Sequence, residues 1–275
     1  MIPTLAQVCT LESSFDDDVA DYAAGKCASI ELWLTKLEMY LQSHTVDDVR
    51  RLLDEHGMRA AVASFQGGLL DSQGERRREA WELLARRLEL CAQLGVETLV
   101  VACDTAEPLS QPMIERVGVS LAQLAQEAAK RGVRAALEFQ ARATLGNNLQ
   151  TAASLAAQVG SPSLGLCLDA FHYFVGPSQP EDLGLVTREN LFHVQLCDLL
   201  DVPRELAGDS DRILPGDGDI PLAPILHRLR EIDYQGPVSI ELMNPNIWRI
   251  SPLQFGEVGI TSLRKLLGLA EADDQ

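Results

Sequence analysis

The stretch Leu164-Gly-Leu-Cys-Leu-Asp-Ala-Phe-His172 is apolar for five residues and then turns polar at Asp169 and His172. An unbroken apolar run of this length, without alternation, fits a strand buried on both faces, as in a parallel sheet covered by helices. Similar runs lie at Thr4–Leu11, Ser29–Leu34, Arg59–Gln66, Thr98–Asp104, Arg134–Gln140, Leu191–Asp198 and Pro237–Met243. With Leu164–His172 the count reaches eight.

Segments of helical period separate these runs. Between residues 75 and 94, Trp81, Leu84, Leu88 and Cys91 recur three and four apart, with Arg76, Arg77, Glu82 and Arg86 mainly on the other side. Ile114, Val117, Leu121, Leu124 and Ala128 repeat the pattern, and Gly132 ends that helix. The Pro-rich stretch 176–189 is the weakest helix candidate. No Gly-x-Gly-x-x-Gly follows an early strand, so a dinucleotide-binding sheet lacks its signature. The repeats predict an α/β protein, a single (β/α)₈ TIM barrel over residues 1–275, a length near the roughly 250 residues such barrels need.

A formal charge of −17 sets up a surface that repels phosphate backbones and anionic lipids, which argues against nucleic acid and membrane partners. No basic-then-apolar leader opens the chain and no apolar run approaches the roughly 20 residues of a membrane span, so a cytoplasmic location is expected. The six cysteines form no Cys-x-x-Cys pair and read as reduced thiols.

Potential oxygen ligands sit inside apolar runs at the ends of the last four strands: Glu138, Asp169, Gln195 and Glu241. Burying a carboxylate unpaired costs several kcal/mol, so each needs a cation, a hydrogen-bond network or exposure at a strand end. Side chains alternate along a strand, so Glu138 shares a face with Ala136, Asp169 with Cys167, Gln195 with His193 and Glu241 with Ser239. These small or polar partners suggest that this face lines the barrel. Any one carboxylate could equally cap a helix or pair with an arginine. Together, at the end where barrels place catalysis, they predict a site for one divalent metal ion. Three carboxylates and an amide oxygen suit Mn²⁺, Mg²⁺ or Co²⁺, with Zn²⁺ to be tested beside them.

His172, just past Asp169, is placed to hold a substrate hydroxyl or shuttle a proton, unless it is a plain surface residue. His193, one layer deeper than Gln195, reads as a core histidine. The long loop 198–221 carries Arg212, which could anchor an anionic or polyhydroxylated substrate, and Gly216 and Gly218, which permit a tight turn. Trp33 shares a parity with Glu31 and could wall a sugar ring or pack in the core.

Taken in order, Leu137-Glu138, Leu168-Asp-x-x-His172, His193-Val-x-Leu-x-Asp198, Leu214-Pro-Gly-x-Gly-x-Ile-Pro221 and Gly236-Pro-Val-Ser-Ile-Glu241 carry a resemblance over nearly the whole chain. The sequence resembles the xylose isomerase-like TIM barrel superfamily of sugar isomerases and epimerases, which includes inosose-processing enzymes, 3-dehydroshikimate dehydratases and endonuclease IV. The resemblance implies that Glu138, Asp169, Gln195 and Glu241 hold the metal, that Glu138 and Glu241 act as acid and base, and that His172 contacts substrate. It implies an isomerase or epimerase of a keto sugar, polyol or related small carbohydrate, working through a metal-stabilised enediolate, and allows a homo-oligomer.

Gln195 stands where most of the superfamily has histidine, and an amide oxygen is the weaker ligand. The bacterial 3-dehydroshikimate dehydratases are similar at this position, which makes a metal-dependent lyase the alternative. Against it, Ser64-Phe-Gln-Gly-Gly68 lacks an arginine for a carboxylated ring, though Arg142 or Arg212 could substitute. A third reading is a metal-free barrel serving as a binding subunit. The five histidines and acidic charge argue against endonuclease IV chemistry.

Overall fold

The computed structural model describes residues 1–269. Eight strands, β1 (Ile2–Ala6), β2 (Ser29–Trp33), β3 (Arg59–Gln66), β4 (Thr98–Cys103), β5 (Arg134–Phe139), β6 (Leu164–Asp169), β7 (Leu191–Leu196) and β8 (Pro237–Ile240), pair in parallel in chain order. β8 returns to β1 with Leu5 opposite Ile240, closing the barrel. The helices are α1 (Phe15–Ala24), α2 (Leu34–Tyr40), α3 (Val46–Glu55), α4 (Gly74–Leu94), α5 (Gln111–Ala129), α6 (Leu149–Val159), α7 (Ala170–Val175), α8 (Leu222–Glu231) and α9 (Pro252–Leu267). Among the described residues no helix is long and apolar enough to cross a membrane.

The alternation expected along the strands holds. Leu137, Phe139, Leu166 and Leu168 join the large apolar core that the strands make with the helices. Ala136 and Cys167 instead belong to a separate small cluster with Val62, Val100 and Phe192. That cluster fills the barrel beneath Glu138 and Asp169, which share the faces of Ala136 and Cys167. All six cysteines are free and buried.

Three expectations need correction. β1 leaves the sheet at Ala6 rather than Leu11, and Gln7–Thr10 form a 3₁₀ turn in which Gln7 Oε1 accepts from the Trp33 amide at 3.0 Å. The side chain there replaces a strand partner. β6 stops at Asp169 because its Oδ1 accepts from the His172 amide at 2.9 Å, making Asp169 the N-cap of α7. On α5, Met113 rather than Ile114 is buried, so the apolar stripe begins one residue earlier. The stretch 176–189 holds only a 3₁₀ helix, Pro180–Leu185.

Candidate active site at the carboxyl ends of the strands

β5, β6, β7 and β8 deliver Glu138, Asp169, Gln195 and Glu241 to one end of the barrel, all buried. Direct contacts join them only in part. Ligand atoms of Glu138, Asp169 and His172 lie within 4.8 Å of one another. Glu241 meets Asp169 through Arg212, whose Nη1 donates to Asp169 Oδ2 at 2.7 Å and Glu241 Oε2 at 3.0 Å. Gln195 turns Nε2 to Glu241 Oε1 at 2.9 Å and Oε1 to the Cys167 thiol at 3.1 Å.

Arg212 owes its place to the loop after β7. Asp198 Oδ1 accepts from the amides of Leu199 and Ile220 at 2.9 and 2.8 Å, and Oδ2 accepts from Gly216 at 3.0 Å. The Asp198 backbone also pairs with Ile213 in both directions at 2.9 Å. The carboxylate thereby ties Gly216 and Ile220 to the end of β7, and the backbone pair holds Ile213, and with it Arg212, over the barrel. Arg212 is 1% exposed, lies 4.4 Å over the Phe171 ring, and directs Nε and Nη2 to Asp209 Oδ1 at 3.0 and 2.8 Å. A Cβ on Gly218 would collide with the Leu199 carbonyl and approach Asp198 Oδ1 to 2.6 Å. Gly218→Ala is therefore expected to destabilise the protein by about 1–3 kcal/mol, read from urea unfolding.

Burial pushes Glu138 and Glu241 well above the ordinary carboxylate range, and the charge of Asp169 adds to both shifts. For Asp169 burial acts in the same direction, but the Arg212 guanidinium, His172 and their hydrogen bonds outweigh it and bring it to about 2. Burial lowers His172, which favours the neutral ring. Its Nδ1 accepts from the Ala141 amide at 3.4 Å, so the proton belongs on Nε2, 3.8 Å from Glu138 Oε1. Gln140 Nε2 donates to the other Glu138 oxygen at 2.7 Å.

A second layer supports the first. Glu31 is fully buried, with Oε2 2.9 Å from His193 Nε2 and Oε1 accepting from Gln195 Nε2 at 2.9 Å. His193 is thus a partnered interior residue, as its deeper register suggests. At the rim Trp33 is half-buried, its ring 5.2 Å from that of Phe65, which is 40% exposed.

The sequence reading grouped Glu138, Asp169, Gln195 and Glu241, and the fold brings them to one mouth with His172 and Arg212. It gave no role to Glu31, Asp198, Asp209 or Phe65. Glu31 carries the same signal as the others, a carboxylate inside an apolar strand, but on an early strand far from them in the chain. Arg212, expected to anchor substrate, directs each of its nitrogens to a protein carboxylate.

Known proteins share this fold and align with most of this sequence. The chain is 28% identical to an inosose isomerase of Halalkalibacterium halodurans over 222 residues, covering 79% of this chain and 78% of that one. It is 31% identical to a 3-dehydroshikimate dehydratase of Pseudomonas aeruginosa over 230 residues, 82% of this chain but only 35% of that longer protein. A crystal structure of an IOLI protein with a binding zinc atom superposes with a TM-score of 0.90 at 25% identity, covering 98% of both chains. The profile of the xylose isomerase-like TIM barrel family matches residues 19–264, and the chain belongs to that family.

Proposed function

We propose that the protein is a divalent-metal-dependent isomerase or epimerase of an uncharged keto sugar or polyol-derived ketone. The observation that carries the reading is the buried acidic mouth. Asp169, Asp209 and Glu241 hold the guanidinium of Arg212, and Glu138 lies beside Asp169. Such a cluster calls for further positive charge and disfavours anionic ligands. Its donors fit a hard or borderline divalent ion, held by Glu138, Asp169 and Glu241 with the Gln195 oxygen beside them. When bound, that ion supplies Lewis acidity toward a carbonyl and its neighbouring hydroxyl.

The chain's own residues do the rest. Glu138 on β5 and Glu241 just after β8 approach from different walls of the mouth, so one can take a proton from the carbon beside the carbonyl and the other return one. His172 Nε2–H is placed to donate to a substrate oxygen next to Glu138. Trp33 and Phe65 form an apolar wall against which a sugar ring can lie.

The lyase reading shares the proton abstraction, and the matched dehydratases favour it. The carboxylate such a substrate carries would need a cationic partner, yet Arg212 already pairs with Asp169, Glu241 and Asp209, and Arg142 Nη2 donates to the Ala207 carbonyl at 2.8 Å.

The test joins metal analysis to isotope exchange. Purified protein is expected to hold about one divalent ion per chain, absent from Glu138→Ala/Glu241→Ala. In D₂O it should exchange the proton beside the carbonyl of an inosose or ketose without loss of water. No metal after reconstitution with Mn²⁺, Mg²⁺, Co²⁺ or Zn²⁺ would overturn the reading, and turnover of 3-dehydroshikimate with loss of water would move it to the lyase.

A further inference from the structure

An amide is an ambiguous ligand, because its oxygen can accept and its nitrogen can only donate, and a half-turn exchanges them. In the barrel, three partners decide which way Gln195 faces. Nε2 meets carboxylate oxygens of Glu31 and Glu241, each at 2.9 Å, while Oε1 meets the Cys167 thiol at 3.1 Å. The reversed amide would set its oxygen against two carboxylates. Since Cys167 lies on β6 two residues before Asp169, the observed orientation turns the oxygen toward β6 and the nitrogen toward Glu31 on β2 and Glu241 just after β8.

Glu31 is itself held. His193, two residues before Gln195 on the same face, approaches its other oxygen at 2.9 Å, and Ser239 Oγ lies 3.3 Å from the same histidine nitrogen. The pair is completely buried. It reaches the mouth through the Gln195 amide.

We propose that Glu31, locked by His193, is a positioning residue: it takes the amide N–H of Gln195 and so presents the Gln195 oxygen on the side of Asp169 and Glu138. This rests on the metal-dependent reading above. It assigns Glu31 and His193 a role in metal affinity although neither is a ligand, through the kind of outer partner that fixes a ligand's orientation.

The test is Mn²⁺ affinity of the whole chain, stripped and titrated calorimetrically, for the parent, Glu31→Gln and Glu31→Met. Glutamine removes the charge but keeps an oxygen for Gln195 Nε2; methionine removes both. Positioning predicts roughly 10–100-fold weaker binding in Glu31→Met and retention within about 3-fold in Glu31→Gln. Equal losses in the two variants would show that Glu31 acts only as a buried negative charge, and unchanged affinity in Glu31→Met would show that Gln195 needs no such partner; either result overturns the proposal. If Glu31→Met does not fold, Glu31→Met/His193→Leu removes both members of the pair, so that His193 is not left facing an apolar side chain, and is read by the same criteria. A parent that takes up no Mn²⁺, Co²⁺, Mg²⁺ or Zn²⁺ overturns the metal reading and this proposal together. A parent that binds, with a Glu31→Met that binds equally well, overturns the positioning role alone.

Discussion

Glu138→Gln is expected to lower kcat by about 10³-fold while leaving the melting temperature at or above that of the parent. The loss follows from removing a group proposed to move a proton beside the substrate carbonyl. The stability result has a separate cause: burial and the charge of Asp169 push Glu138 well above its ordinary range, so a negative charge on this side chain works against the fold. A neutral amide of the same shape removes that repulsion and keeps an oxygen near Gln140. The sign with pH follows. A carboxyl raised in the folded state binds its proton more tightly there than in the unfolded chain. Its unfavourable contribution is therefore relieved as pH falls through the raised value, and Glu138→Gln should flatten that part of the stability profile. Steady-state assays with differential scanning calorimetry at several pH values would check both. Unchanged kcat would remove Glu138 from the acid-base pair.

Arg212→Met is expected to destabilise the metal-free protein by about 3–5 kcal/mol, among the larger effects of a single substitution. The guanidinium is buried and its Nη1 bridges Asp169 and Glu241, so its removal leaves two interior carboxylates without that cation. Packing over Phe171 is lost as well, which methionine only partly replaces. Asp169 sits at about 2 because Arg212 and His172 outweigh the burial that pushes it up. Without Arg212 the carboxyl rises, so the gap between parent and variant should be widest above the ordinary carboxylate range and narrow as pH falls and Asp169 takes up a proton. Saturating Mn²⁺ should restore more stability to the variant than to the parent, since ion and guanidinium supply charge to the same oxygens. Urea titrations at neutral and mildly acidic pH, with and without Mn²⁺, would measure this. A loss below about 1 kcal/mol would show that the bridge contributes no more than a surface pair.

Much of the candidate site was legible because its signal is local. A carboxylate at the end of an apolar strand stands out in Ala-Leu-Glu-Phe or Ser-Ile-Glu-Leu whatever surrounds it, and strand parity says which neighbours share its face. Partner identities were not legible in that way. The Leu-Pro-Gly-Asp-Gly run reads as a turn, yet nothing in it shows that Asp198 accepts from Gly216 and Ile220 or that Arg212 faces inward. Asp169 reads from the sequence as a strand-end ligand. It is also a helix cap, because its second oxygen is free to accept from the His172 amide once the strand ends.

The sequence by itself determined the number and order of the strands, their burial on two faces, and the ends that carry acidic groups, because each depends on residue types within a few positions of one another. The tertiary structure alone decided who pairs with whom. Glu31 meets His193 and Gln195 across separations of 162 and 164 residues, and Arg212 reaches Asp169 across 43. Closing the sheet into a barrel brings β2 across from β7, and no periodicity along the chain encodes which side chains then face each other in the space that remains.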